Sequence, residues 1–162
     1  MNHSDSIRLR AAVGWLELGN WREANSEVEG VTPASTTHLD VLQVRCKIYL
    51  AAEKWDFAAE IANALCWIMP DSSFGPLHLA HALRKQDRTE QARDSLLPIS
   101  DKFPGEWRIS YQLACYMAKL GDRKASYAWL ELAIDAAGKT DIRLMALDEP
   151  DLATIWPDIA EI

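Results

Sequence analysis

The chain has 162 residues and a mass of 18.2 kDa; 49% of its residues are hydrophobic and 25% charged, enough to bury a core and too apolar for a disordered tail. Its formal net charge of −7 opposes a general nucleic-acid binder, which needs a basic field. No stretch approaches the ~18 apolar residues of a membrane span, and Met1–Arg8 is polar where a secretory leader is apolar, so a cytoplasmic setting without membrane insertion is expected.

Cys46, Cys66 and Cys115 are too few and too irregular for a disulfide framework and suit a reducing compartment. The charge is uneven. Residues 71–125 carry nine basic and seven acidic side chains, whereas the last 37 residues carry two and eight.

Taken along the chain, small residues recur at a fixed step of 34: Ala12, Cys46, Ala80 and Ala114. Gly19, Glu53, Asp87 and Gly121 keep the same step and mark turns. Ala24, Ala58 and Ala92 keep it too, with Ala125 one residue early, so the fourth repeat reads as one residue short. Large apolar residues follow in Trp15, Tyr49, Leu83 and Met117, and in Val31, Leu65 and Ile99. Apolar spacing of three and four within each repeat, with no two-residue alternation, predicts helices and no strands. Helix pairs are expected at 6–18/21–31, 38–52/55–69, 74–86/88–103 and 107–120/122–137. Asn20-Trp21-Arg22-Glu23 and Asp87-Arg88-Thr89-Glu90 read as capping boxes for second helices. Pro33, Pro70 and Pro104 punctuate the connections, while Pro98 falls inside a helix and is expected to bend it. Alanine where paired helices cross lets them approach, and stacked pairs complete a core that one pair cannot bury.

A 34-residue helix-turn-helix repeat with small residues at its eighth and twentieth positions, a large apolar residue at its eleventh and a proline near its end resembles the tetratricopeptide repeat (TPR). Leu50-Ala51-Ala52-Glu53-Lys54-Trp55-Asp56-Phe57-Ala58-Ala59 with Pro70, and Leu120-Gly121-Asp122-Arg123-Lys124-Ala125, carry the likeness. Arg45, where the pattern has an apolar residue, and the early Pro33 depart from it. The resemblance implies an all-α fold, a right-handed α-solenoid of antiparallel helix pairs. The expected layout is one domain over 1–162, with repeats at about 5–37, 38–71, 72–105 and 106–138 and a capping segment at 139–162. Ile142, Met145, Leu152, Ile155 and Trp156 supply that segment with apolar residues for one or two short helices.

No catalytic constellation stands out. Gly138-Lys139-Thr140 mimics the end of a phosphate loop, but Ala133 replaces the first glycine and no strand precedes it, so Gly138 reads as a helix C-cap. His78 and His81, three apart, with Cys115 on the equivalent helix of the next repeat, fall short of four metal ligands, so no metal or other cofactor is expected. Cys46 reads as an inert core thiol. Trp15, Trp21, Trp55 and Trp67 fall at packing or turn registers and are assigned to the core.

The TPR resemblance further implies a groove lined by the first helix of each pair, which binds a peptide or a partner helix. Carried over position by position, the second repeat contributes Asp40, Gln43, Lys47 and Leu50. The third contributes Phe74, Leu77, His78, His81, Arg84 and Lys85, and the fourth Arg108, Tyr111, Gln112, Cys115 and Lys119. The partner-binding residues are expected among Gln43, Lys47, His78, His81, Arg84, Lys85, Arg108, Tyr111, Gln112 and Lys119. Five of the groove residues are cationic and one is acidic, which favours an acidic protein or peptide partner. The family's clamp for a C-terminal carboxylate is not matched, since Leu9 and Val13, then Gln43 and Lys47, occupy its places. The expected function is a non-catalytic interaction scaffold. The alternatives are a secretion-type chaperone or a self-associating module, a homodimer in which the acidic C-terminal segment docks on a basic groove or folds onto its own.

Overall fold

The computed structural model describes residues 1–137 and 139–159, the side chains of 139–141 excepted. Among these residues every regular element is helical. The first two pairs are α1 (His3–Glu17) with α2 (Trp21–Glu29) and α3 (Leu39–Ala51) with α4 (Trp55–Ile68). The next two are α5 (Phe74–Lys85) with α6 (Thr89–Ser100) and α7 (Trp107–Lys119) with α8 (Arg123–Ala137). A 3₁₀ turn at Pro33–Ser35 separates the first two pairs. The C-terminal segment forms α9 (Lys139–Asp148), a 3₁₀ strap at Pro150–Ile155 and α10 (Trp156–Ile159). The chain divides into two compact units, Met1–Ala82 and Leu83–Ile162.

The 34-residue step is a backbone device. Gly19, Glu53, Asp87 and Gly121 all adopt positive φ, at 73°, 58°, 59° and 87°. Each is followed by the same closing bond: the amides of Asn20, Lys54, Arg88 and Asp122 donate to the carbonyls of Trp15, Tyr49, Leu83 and Met117 at 2.8–3.0 Å. This left-handed C-cap satisfies the last carbonyls of the first helix and turns the chain straight into the second. Asn20 Oδ1 then accepts from the Glu23 amide at 3.3 Å, and Asp122 Oδ1 from the Ala125 amide at 2.9 Å.

The third repeat corrects the capping expectation. Asp87 is the left-handed turn residue, so the N-cap position falls on Arg88, whose side chain makes no capping bond, and α6 starts at Thr89. Pro98 stands two residues from the end of α6, which runs through it and stops at Ser100 rather than at 103. The C-cap assigned to Gly138 lies outside the described residues, while Lys139 and Thr140 of the phosphate-loop mimic open α9.

Within each pair the crossing is fully buried: Ala12 and Ala24, Cys46 and Ala58, and Ala114 each have 0% exposure. Opposite Ala114 stands Ser126, not Ala125. Ser126 is 0% exposed and its hydroxyl donates to the Ala114 carbonyl at 2.8 Å. The fourth repeat therefore keeps the full step of 34, with a hydroxyl in place of a methyl group. Cys46 does the same from the other helix, its Sγ lying 3.7 Å from the Ala58 carbonyl. Burial pushes the Cys46 thiol up to about 12, so it stays protonated as a core thiol. Val28, Ala62, Leu96 and Leu130 form another 34-step series, each 1% exposed or less.

In the N-terminal unit α1 packs on α2, and α3 packs on α1, α2 and α4. Asp5 ties the first pair to its 3₁₀ turn: its carboxylate accepts from the Thr32 amide (3.0 Å), the Thr32 hydroxyl (2.6 Å) and the Ser35 hydroxyl (2.5 Å). In the C-terminal unit α6 and α8 pack on α7, and the strap lies against both α7 and α8. Ile142, Leu152, Ile155 and Ile159 anchor this cap at 1% exposure or less, while Met145 and Trp156 remain partly open. The core assignment of Trp67 does not hold. It is 81% exposed on the outer side of α4, whose inner side is filled by Ala58, Ala62 and Leu65. Trp15 is 36% exposed.

Candidate functional site

In the N-terminal unit, four candidate residues stand on α3 and α5 beside aromatic rings. The Lys47 ammonium lies 5.7 Å from the centre of the Phe74 ring, and the His78 imidazole stacks on the same ring at 3.9 Å. His78 Nδ1 donates to the Phe74 carbonyl at 2.8 Å, which fixes the ring over Phe74. His81 meets Trp55 edge-on at 6.3 Å, and the Gln43 amide lies 3.3 Å from Met69 Sδ. The helical spacing of Phe74, His78 and His81 puts all three on one stripe of α5. One amine, two imidazoles and two large rings thus share a half-exposed face, suited to a carboxylate with apolar neighbours.

In the C-terminal unit, the candidates are already engaged by the chain itself. The Arg84 guanidinium pairs with the Asp151 carboxylate of the strap. Burial works against the charge on Arg84, but the hydrogen bond and attraction of Asp151, helped by Glu149, outweigh it and raise its pKa. Burial pushes Tyr111 and Cys115 well above their ordinary values; Cys115 and then the nearby carboxylates add to it for Tyr111, and Glu149 and Asp151 for Cys115. Gln112 accepts from the Tyr116 hydroxyl at 2.8 Å. Arg108 bonds Glu106 at 3.1 Å and lies over the Trp107 ring at 5.0 Å. Lys119 pairs with Asp87 at 3.3 Å on the rim of an open depression of about 380 Å³. Lys85 sits in the last turn of α5.

The structure therefore brings Lys47, Phe74, His78 and His81 into one neighbourhood, and separately joins Arg84 to the strap. Glu149 and Asp151 were legible only as part of an acidic tail; their place against Arg84 depends on a fold contact 67 residues long. Among the described residues no three His, Cys, Asp or Glu side chains converge as a metal site requires, and no helix is long and apolar enough to cross a membrane.

The chain resembles TTC0263, a thermophilic TPR protein of Thermus thermophilus, with a TM-score of 0.76 at 19% identity, over 98% of this chain and 100% of that one. It also resembles MamA in two forms. The MSR-1 protein gives a TM-score of 0.68 at 12% identity over 99% and 97% of the two chains, and the AMB-1 protein 0.64 at 16% over 87% and 77%. The fold is thus that of a TPR solenoid of antiparallel helix pairs. No family model and no curated protein sequence matches the chain.

Proposed function

We propose that this TPR-fold chain is a non-catalytic scaffold that binds a carboxylate-bearing segment of a protein partner on the Lys47–Phe74–His78–His81 face. The observation that supports this reading most directly is the chain's own strap. There, Glu149-Pro150-Asp151-Leu152 lies on the first helix of a repeat, with a carboxylate on Arg84 and an apolar side chain buried next to it. The face on α3 and α5 offers the same ingredients, a cation at groove register beside aromatic rings. Arg84 is held by Asp151, so Lys47, exposed beside the Phe74 ring, is the better candidate cation for a ligand in trans.

A fluorescent peptide with the sequence of residues 147–157 tests the reading by anisotropy against the full chain. Saturable binding that weakens with salt is expected, with much weaker binding of a peptide in which Asp and Glu become Asn and Gln. Equal binding of both peptides would overturn it.

A further inference from the structure

Helix α1 carries an apolar stripe that is open to solvent at both ends, at Ile7 and Leu18, and partly covered between them, at Ala11 and Gly14. Ile7, Ala11, Gly14 and Leu18 fall at i, i+4, i+7 and i+11, one stripe of a helix. Ile7 is 50% and Leu18 76% exposed. Thirty-four residues on, Val41 and Ile48 hold the places of Ile7 and Gly14 and are buried where α2 covers α3. In the C-terminal unit Ile109, Leu113 and Tyr116 hold the places of Ile7, Ala11 and Gly14, and are buried on α7, which α6 covers. A helix face left to water is expected to be polar, and this one keeps the apolar pattern of a repeat with a neighbour.

Gly14 sharpens the point. It sits inside α1, where glycine costs about 1 kcal/mol relative to alanine. Its φ is not among the positive ones, and a Cβ there would meet nothing within 4 Å. A glycine there leaves room for another backbone to approach α1 closely.

We propose that the occupant is a second copy of this chain, with the two α1 helices packed antiparallel about a two-fold axis between Ala11 and Gly14. The stripe is self-complementary in that arrangement: Ile7 of one copy faces Leu18 of the other, and the two small residues meet at the centre. Charge fixes the direction. Arg10 and Glu17 are exposed on the same flank of the stripe, and antiparallel packing brings Arg10 of each copy beside Glu17 of the other. Parallel packing would instead set Arg10 against Arg8. One helix pair lies at the small end of specific interfaces, so the dimer is expected to be weak and concentration-dependent.

Sedimentation of the full chain over a concentration series tests this. A reversible monomer–dimer equilibrium is expected, weakened at least about tenfold by Leu18→Glu. Gly14→Leu adds a helix-favouring side chain in open space, so it is expected to keep or raise Tm while abolishing the dimer. Arg10→Glu is expected to weaken association and Arg10→Glu with Glu17→Arg to restore it. A chain that stays monomeric to millimolar concentration, a dimer untouched by Gly14→Leu, or a charge swap that fails to restore association would each overturn the proposal.

Discussion

Arg84 at the end of α5 and Asp151 in the C-terminal strap form an ion pair across 67 residues, with only 21% and 15% of their side chains exposed. The pair joins the most acidic stretch of the sequence to one of its groove-register cations. Removing one partner leaves the other charge under-solvated, which costs about 3 kcal/mol in comparable buried pairs and somewhat less here because water still reaches both. Arg84→Ala and Asp151→Ala are each expected to lower the denaturant midpoint by that order. The double variant is expected to fall little below either single one, because the two side chains act as a unit. Fully additive losses would show that they do not.

The left-handed turn residues make a second prediction. Glu53 holds a φ of 58° that an L side chain adopts at a cost of roughly 1 kcal/mol, so Glu53→Gly is expected to stabilise the chain by up to that amount. Gly121→Ala, at a φ of 87°, is expected to destabilise it by about 1–2 kcal/mol. Paired thermal melts check both signs.

Gly75 is required for a different reason. A Cβ there would lie 2.7 Å from the Cys66 amide nitrogen and 3.1 Å from the Ala62 carbonyl oxygen, so α4 and α5 pass backbone to backbone. Gly75→Ala is expected to cost about 1–3 kcal/mol, the usual effect of overpacking, whereas Gly14→Ala is expected to stabilise.

The Asp5 carboxyl is held below its ordinary value by hydrogen bonds from the Ser35 hydroxyl, the Thr32 hydroxyl and the Thr32 amide. A depressed folded pKa gives stability that is fully present above the unfolded value of about 3.9 and is lost as pH falls through the folded value. Asp5→Asn is therefore expected to lower Tm at neutral pH, with the difference from the parent chain shrinking as the pH drops below 4. A constant difference from pH 7 to pH 2 would contradict that assignment.

Much of this fold was legible because the repeat writes one backbone turn four times, so Gly19, Glu53, Asp87 and Gly121 announce it whatever their side chains. What misled were readings tied to residue type. Asp87 looks like a cap, yet the turn claims its backbone; Ser126 fits a crossing normally kept for alanine because its hydroxyl finds the Ala114 carbonyl. Trp67 shows that an aromatic at a regular register can still face outward. The candidate faces were legible as register positions, since Lys47, Phe74 and His78 do meet. Their electrostatics were not, because the partners of Arg84 and Lys119 come from elements 67 and 32 residues away.

Binding of a carboxylate-bearing segment on the α3–α5 face is tested most directly by amide and imidazole NMR spectra of the full chain, titrated with the peptide of residues 147–157. Saturable shifts centred on Lys47, Phe74, His78 and His81 are expected, and are expected to disappear in Lys47→Glu. Shifts confined to other surfaces, or unchanged in that variant, would contradict it.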